Sequence, residues 1–206
     1  MSSQLSFGSL LDELLDRLYA QSTAQTEGIM SYFSARFAEG SLDPNKFDDR
    51  TNQFLSDKLV ALDRDKAEFC YQICRALRAR RIVEAGTSYG VSTLFLAAAV
   101  RENVRSYGGD GIVIGTEYEP EKAKAARANF TEAGLSEFIE LREGDLRETL
   151  RDVGGPIDFV LVDIWTPLPR DCVPAPSSSV TTPRNSAPTT PTISPLSPIL
   201  KIAFAP

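Results

Sequence analysis

The first 80 residues have hydrophobic positions at helical spacing. Leucines recur three and four residues apart after Ser9, which forms the start of an S-x-x-D capping box with Asp12. Three further stretches with the same periodicity carry Ile29 to Phe37, Phe54 to Leu62, and Phe69 to Leu77. We predict an N-terminal helical extension over residues 1–80, and we interpret its apolar faces as a packing or dimer surface in preference to a substrate lid.

From Arg81 the pattern changes to short apolar runs that alternate with amphipathic segments. Four runs have the composition of buried strands: RIVEAG, GIVIGTEYE, FIELREGD and IDFVLVDIW. The segments between them are typical of helices. Consecutive strand–helix–strand units predict a parallel sheet with right-handed crossovers. The expected fold class is therefore α/β, with a doubly wound parallel sheet flanked by helices over residues 81–166.

The last 40 residues differ in composition from the rest of the chain. They contain 10 of the 13 prolines, and all 13 glycines precede Pro156. Residues 1–166 contain 19 Lys/Arg and 27 Asp/Glu, whereas residues 167–206 contain 3 and 1. High proline density disfavours central strands and long helices. We therefore predict a disordered Pro/Ser/Thr-rich tail over residues 167–206, a sheet incomplete at its C-terminal half, and the IDFVLVD strand at its edge.

Composition excludes several functional classes. A sequence pI near 4.8 without a basic cluster argues against nucleic-acid binding. No apolar run approaches the ~18–20 residues of a membrane span, and the acidic start is unlike a signal peptide. Absence of histidine excludes Ser-His and Cys-His catalysis. Three cysteines form no disulfide framework, and Cys70 and Cys74 are interpreted as buried free thiols. We expect a cytoplasmic protein.

Each predicted strand ends in an acidic residue. These residues are Glu84, Glu117, Asp145 and Asp163. The carboxyl ends of parallel strands are where ligands of α/β sheets bind. The turn after the first strand, EAGTSYG, lacks the first glycine of the G-x-G-x-x-G turn that a dinucleotide pyrophosphate requires. The acids instead suit a ligand without a diphosphate that offers an ammonium, two ribose hydroxyls and an exocyclic amine as hydrogen-bond donors.

S-adenosylmethionine has these donors, and the sequence resembles proteins that use it. EAGTSYG is similar to the E/D-x-G-x-x-x-G motif of class I S-adenosylmethionine-dependent methyltransferases. The four motifs, in order, resemble small O-methyltransferases of the catechol and caffeoyl-coenzyme A type over roughly residues 52–166. The resemblance implies a Rossmann-like methyltransferase fold. It also implies methyl transfer from S-adenosylmethionine to a hydroxyl group of a small-molecule acceptor.

The resemblance assigns cofactor contacts to eight residues. The glycines would let the backbone approach the methionine moiety. The hydroxyl residues would bond its carboxylate, and the first acid would lie near its amino group. Glu117 would accept both ribose hydroxyls and Asp145 the adenine amine. The cofactor-binding residues so implied are Glu84, Gly86, Thr87, Ser88, Gly90, Ser92, Glu117 and Asp145.

Asp163 is the residue to which the resemblance assigns the chemistry. In the metal-dependent relatives a carboxylate here binds Mg²⁺ or another divalent cation, which holds the acceptor hydroxyl and lowers its pKa. The sequence departs from the catechol type at Thr166, where a lysine base is expected. Trp165 fits either a pocket wall or a packing role. The further metal ligands of the family, an Asp-Asn pair, have no counterpart in the tail.

Two explanations of the tail stay open. In the first, which we favour, the chain is truncated or frameshifted after the fourth strand, because a shifted reading frame of the tail permits sequences typical of globular proteins that include Asp-Asn. In the second, the chain carries a genuine disordered tail. In both cases we expect weak or no turnover. The alternative function is a catalytically inactive cofactor-binding or interaction protein. A nicotinamide oxidoreductase is disfavoured by the missing glycine, and the N-terminal helices are candidates for a homodimer surface.

Overall fold

The computed structural model describes residues 5–41 and 47–164, together with the backbone of residues 200–203. Among these residues three helices precede the first strand, where the periodicity predicts four helical stretches. The three helices are α1 (Ser9–Ala38), α2 (Asp49–Leu55) and α3 (Arg64–Ala76). Buried Cys70 and Cys74 lie one turn apart on α3 as free thiols, so that prediction is confirmed.

Helix α1 is one helix of 30 residues where the periodicity indicates two. The polar stretch between its two apolar clusters contains no proline, and the single Gly28 within it is not enough to end a helix. The helix start also differs from the predicted capping box. Gly8 is the N-cap, and the Asp12 carboxylate accepts the Phe7 backbone N–H at 2.9 Å. No helix in the described ranges is long and apolar enough to cross a membrane.

The sheet is parallel throughout and has the order β3-β2-β1-β4-β5. Its strands are β1 (Arg81–Ala85), β2 (Ile112–Glu117), β3 (Ile139–Glu143), β4 (Phe159–Val162) and β5 (Leu200–Ala203). The helices between the first four strands are α4 (Val91–Tyr107), α5 (Pro120–Glu132) and α6 (Leu146–Thr149), and a 3₁₀ turn at Ser136–Phe138 precedes β3. The expected α/β class is confirmed.

Strand β5 corrects the expectation of a disordered tail for the four residues that it contains. It pairs with β4 from Phe159↔Leu200 to Val162↔Ala203, so β4 is not the edge of the sheet. A strand is compatible with the sequence here because no proline occurs between Pro198 and Pro206, and every residue of the strand keeps its backbone N–H. Residues 165–199 and 204–206 lie outside the described residues, and the prediction for them stays a prediction.

The two faces of the sheet are covered unequally. The larger hydrophobic cluster contains residues of α1, α3, α4 and α5, and its most buried large side chains include Phe95, Phe159 and Leu14. The smaller cluster contains the opposite face of β1, β2 and β4 together with Leu150, Val153 and Ile157. The sheet therefore lies between a thick layer of helices on one face and a thinner layer, formed by the segment around Leu150 to Ile157, on the other.

Candidate functional site

A cavity of about 530 Å³ opens at the carboxyl ends of the strands. One side is formed by the turns and first residues after β1, β2, β3 and β4. The other side is formed by α2 and the segment that leads from it toward α3. The lining residues are Phe47, Asn52, Leu55, Ser56, Lys58, Val60, Gly86, Ser88, Thr116, Glu117, Tyr118, Glu119, Lys122, Gly144, Asp145, Leu146, Arg147, Asp163 and Ile164.

The structure brings five of the nine predicted site residues to this cavity. These are Gly86, Ser88, Glu117, Asp145 and Asp163. Two others, Thr87 and Ser92, border a much smaller hollow beside it. Glu84 and Gly90 line neither space. The predicted set is therefore divided between the cavity and the protein interior.

Glu117 is held at the rim of the cavity by three backbone N–H groups. One carboxylate oxygen accepts the Ser88 N–H at 2.6 Å. The other accepts the N–H groups of Tyr118 and Glu119, both at 2.8 Å. Ser88 has a φ of +50°, and this left-handed conformation belongs to the turn in which its N–H meets Glu117. The carboxylate thus has a fixed orientation while it lines the cavity.

Glu84 has a different environment from the one that the resemblance implies. Its side chain is completely buried, and both carboxylate oxygens accept hydrogen bonds from hydroxyl groups of the protein. Ser92 donates at 2.6 Å, Thr87 donates at 3.0 Å, and Thr93 donates to the same oxygen as Thr87. Burial raises the pKa of Glu84 to about 7, against the opposing effect of these hydrogen bonds. Glu84 therefore has protein donors on both carboxylate oxygens, and its implied place at the ligand's amino group stays a prediction.

The two predicted glycines are required by contacts within the protein. A Cβ on Gly86 would lie 2.2 Å from the Asp163 carbonyl oxygen, and a Cβ on Gly90 would lie 2.3 Å from the Phe130 ring. Both glycines also have positive φ, +96° and +85°. Gly86 brings the β1 turn against the end of β4, and Gly90 begins α4 against α5. Close packing of the turn therefore accounts for both, and only Gly86 lines the cavity.

Asp145 begins α6 and is paired with a neighbouring arginine. Its carboxylate accepts the backbone N–H of Arg147 at 2.9 Å and forms an ion pair with the Arg147 guanidinium. The guanidinium hydrogen bond, followed by the backbone hydrogen bond, lowers the pKa of Asp145 to about 2. Asp145 is therefore an ionised acceptor at the cavity wall.

Asp163 follows β4 directly and lines both the cavity and the small hollow. Its backbone N–H donates to Ala85, and burial raises the pKa of its carboxyl. Within residues 5–41 and 47–164, no group of three Asp, Glu, Cys or His side chains is arranged to hold a metal ion. This part of the chain therefore does not fit the metal site that the resemblance implies. Trp165 and Thr166 lie outside the described residues.

The sequence analysis missed the wall formed by α2 and the segment after it. Tyr32 of α1 stacks on Phe54 of α2, with ring centroids 3.8 Å apart and planes within 5°. Buried Arg36 pairs with Asp48 at 2.6 Å. These contacts hold α2 on α1 while Asn52 and its neighbours face the cavity. The interpretation of this region as a packing or dimer surface therefore omitted its role as a wall of the cavity. The positions of the aromatic and arginine residues in the sequence do not reveal that role.

Lys122, on the first turn of α5, is another cavity residue that the sequence analysis missed. Burial lowers the pKa of its ammonium group, while the neighbouring Glu117 and Glu119 carboxylates act in the opposite direction. It lines the cavity beside both acids. A lysine on a helix start gives no sequence signal that separates this position from an exposed one.

Residues 83–167 match a family described as a methyltransferase domain. The match includes every strand-end acid and the whole β1–α4 turn. This segment is similar in sequence to methyltransferase domains. Its parallel sheet and flanking helices are those of the Rossmann-like class I kind, so the resemblance stated from the motifs is confirmed for this part of the chain.

Relatives with similar sequences carry O-methyltransferase names. A catechol O-methyltransferase of Mycobacterium tuberculosis is 35% identical over 105 residues, covering 50% of this chain and 44% of that protein. One of Niastella koreensis is 28% identical over 108 residues, covering 50% and 46%. The chain thus spans about half the length of the curated relatives it matches. Among solved structures, the O-methyltransferase TomG from Streptomyces achromogenes, in complex with S-adenosylmethionine, gives a TM-score of 0.46 at 27% identity, covering 64% of this chain and 60% of that one.

Proposed function

We propose that the cavity at the strand ends binds S-adenosylmethionine, and that the chain serves methyl transfer to a hydroxyl group of a small molecule. The observation that carries this proposal is the Glu117 carboxylate, fixed by three backbone N–H groups at the rim of a cavity within a segment similar to methyltransferase domains. The O-methyltransferase names of the relatives supply the acceptor class. Rossmann-like sheets bind their ligands at this edge.

The ligand's donors find matching acceptors in this arrangement. The two ribose hydroxyls donate to Glu117, and the adenine amine donates to ionised Asp145. Gly86 and Ser88 expose backbone of the β1–α4 turn to the methionine moiety. Lys122 stands beside Glu117 and Glu119 and limits the excess of negative charge at this end of the cavity. The neutral product, S-adenosylhomocysteine, keeps all of these donors and is therefore a suitable binding probe.

Asp163 is the residue at the acceptor end of the proposed reaction. Its carboxyl has a raised pKa because of burial, which makes the carboxylate a better base for the acceptor's hydroxyl proton. The hydroxyl oxygen attacks the sulfonium methyl, the carbon–oxygen bond forms as the carbon–sulfur bond breaks, and the proton passes to Asp163. A divalent cation would supply further activation of the hydroxyl in metal-dependent relatives. No step is assigned to a metal here, because Asp163 lacks companion ligands among the described residues.

We expect the chain to bind the cofactor but to transfer the methyl group slowly, so cofactor binding is the more informative measurement. Asp163 has no partner carboxylate with which to hold a catechol-type acceptor through a metal in the part of the chain that is described. The expected rate of methyl transfer is therefore low. A chain that binds the cofactor without turnover would be the inactive cofactor-binding protein considered above.

Titration calorimetry of the full chain with S-adenosylhomocysteine tests the binding proposal. Wild-type protein should bind it, and Glu117→Ala should abolish binding because the ribose hydroxyls lose their charged acceptor. Glu121→Ala is the matched control: it is the same substitution four residues away, on a side chain that is 88% exposed and does not line the cavity. Binding of NADH without binding of S-adenosylhomocysteine would overturn the cofactor assignment.

Transfer of a labelled methyl group from S-adenosylmethionine to catechol, with and without Mg²⁺, tests the reaction. Slow product formation that Asp163→Asn removes supports the proposed role of Asp163. Cofactor binding with no labelled product from any hydroxyl acceptor in a panel of small phenols contradicts the transferase proposal and favours the binding protein. Turnover at ordinary enzyme rates would contradict our expectation of a weak catalyst.

A further inference from the structure

The Glu84 carboxylate and the three hydroxyls around it form a closed group, which we call the Glu84 cluster: Glu84, Thr87, Ser92 and Thr93. Glu84 and Thr93 have no exposed surface. Each hydroxyl donates to one of the two carboxylate oxygens, so the charged form of Glu84 is fully engaged by the protein's own donors. Thr93 is not among the residues that line the cavity or the small hollow.

The cluster is connected to the cavity through the β1–α4 turn. Thr87 is held from two sides: its hydroxyl donates to Glu84, and its backbone N–H donates to the Thr116 carbonyl at 2.9 Å. The next residue, Ser88, donates its N–H to Glu117. The position of the Ser88 N–H is therefore set by the residue that Glu84 holds. A loss of the Glu84 acceptor would release the turn on its inner side.

We infer that Glu84 is a positioning residue: it acts through Thr87, Ser92 and Thr93 to fix the β1–α4 turn against Glu117, and it does not itself touch the cofactor. This inference rests on the proposed function, because the consequence of the positioning is read as cofactor affinity. It differs from the contact that the family resemblance implies for the first strand-end acid. The observation that decides between the two is the complete burial of Glu84 behind its own hydroxyl donors.

The surroundings of Glu84 explain why an acceptor, rather than a negative charge, is what the turn requires. The charged or titratable neighbours are Asp163 at the end of β4, which disfavours the charge, and the Cys70 thiol of α3. β2 contributes the uncharged Thr116, whose hydroxyl donates to the Glu84 backbone carbonyl at 3.4 Å, and Gly115. No cation from these elements pairs with Glu84. A glutamine amide can accept from two hydroxyls and donate to the third, so it can replace the carboxylate.

Calorimetry with S-adenosylhomocysteine on three variants of the full chain tests the inference. Glu84→Met removes every acceptor and should weaken binding at least tenfold. Glu84→Gln should restore affinity to within about threefold of wild type. Thr93→Val removes one donor without touching the cavity and should weaken binding about three- to tenfold, less than additively with Glu84→Gln. Val100→Ala, a buried truncation two turns along the same helix, is the control for general loss of stability.

Two results would overturn the positioning role. If Glu84→Gln weakens binding as much as Glu84→Met, the negative charge is required and Glu84 contacts the ligand. If Thr93→Val binds no more weakly than Val100→Ala, the hydroxyls do not position the turn. If Glu84→Met fails to fold, the comparison of Thr93→Val with Val100→Ala still tests the inference.

Failure of the proposed function gives a separate result. If wild-type protein binds neither S-adenosylmethionine nor its product, the cofactor assignment is wrong. The positioning is then measured in the unliganded protein by hydrogen exchange of the Ser88 and Gly90 amides. Thr93→Val should speed their exchange relative to Val100→Ala, and equal exchange in the two variants would overturn the inference.

Discussion

Glu84 and Glu117 are acids at the ends of neighbouring strands, yet one is interior and the other lines the cavity. The register explains the difference. Glu84 pairs with Gly115 on β2, whereas Glu117 lies two residues further along the same strand. Two residues of strand correspond to about 7 Å. Glu84 is also paired with Leu161 of β4, so a strand lies on each side of it. Glu117 lies beyond the last β1–β2 pair.

The comparison shows that the position of an acid relative to the end of β1 separates the two: Glu84 is paired on both sides, whereas Glu117 lies past the last β1–β2 pair and keeps only its pair with Glu143 on β3. Asp163 follows Val162, the partner of Ala85 at the end of β1, and Asp145 follows the β2–β3 pair that includes Glu117. Both reach the cavity. Glu84 does not, and its partners are hydroxyls of the protein instead of groups on a ligand.

The largest effect is expected at Gly86, where the inner and outer regions meet. Gly86→Ala places a Cβ 2.2 Å from the Asp163 backbone oxygen at a φ of +96°, so either β1 or β4 must shift. We expect a loss of about 3–5 kcal/mol in the free energy of unfolding. Denaturant unfolding measures it. Gly134→Ala, at a φ of +64° with no atom within 4 Å, is the control and should lose only about 1 kcal/mol.

The next effect is the part of the pH dependence of stability that Glu84 contributes. Because its pKa is raised from 4.5 to about 7 in the folded chain, the folded state favours the protonated form. The resulting stability is present below pH 4.5 and is lost as pH rises through about 7. From 1.36 kcal/mol per pKa unit, the loss approaches about 3 kcal/mol. The free energy of unfolding of Glu84→Gln, measured from pH 5 to 9, should therefore rise relative to wild type by up to this amount; parallel curves for the two proteins would contradict the assignment.

Glu117→Gln should weaken ligand binding more than Glu84→Gln does, because Glu117 lies at the cavity rim and Glu84 in the interior. The substitution removes the charge that the ribose hydroxyls meet, and a charge-assisted hydrogen bond is roughly twice as strong as a neutral one. We expect the dissociation constant of S-adenosylhomocysteine to rise about tenfold, against threefold or less for Glu84→Gln. Calorimetry on the two matched Glu→Gln variants measures both. Equal losses would mean that register does not decide which acid binds the ligand.

The smallest expected effect concerns Asp145. Arg147→Ala removes the ion pair that lowers the pKa of this carboxyl, so the pKa should rise from about 2 toward its ordinary value of 3.8. A carboxyl-resolved NMR titration measures the change. Lys124→Ala, which removes an exposed pair with Glu121 on α5, should leave the Asp145 pKa unchanged. Asp145 stays ionised at neutral pH in both variants, so the affinity should change little.

The sequence could predict the parts of the fold that rest on local periodicity. The apolar runs identify β1 to β4, and helical spacing identifies the residues of α1 that pack on the domain. The runs do not give register, and without register the interior position of Glu84 cannot be told from the exterior position of Glu117. In the sequence, Glu84 and Glu117 are both marked only by their spacing as acids at strand ends, so the pattern does not distinguish them.

Two other features depend on contacts between segments that are distant in sequence. The wall made by α2 depends on Tyr32 meeting Phe54 and on Arg36 meeting Asp48, and no periodic pattern records these pairs. Strand β5 depends on pairing with β4 across 37 residues, from Val162 to Leu200. The proline density of the tail hides a four-residue strand because composition averages over the whole segment.

A crystal structure of the full chain grown with S-adenosylhomocysteine tests the central claim most directly. We predict that the ribose hydroxyls lie within hydrogen-bond distance of the Glu117 carboxylate and that the adenine amine lies at Asp145. Glu84 should still be bonded to Thr87, Ser92 and Thr93 without contact to the ligand. A ligand whose amino group is bonded to the Glu84 carboxylate, or one that lies away from Glu117, would contradict it.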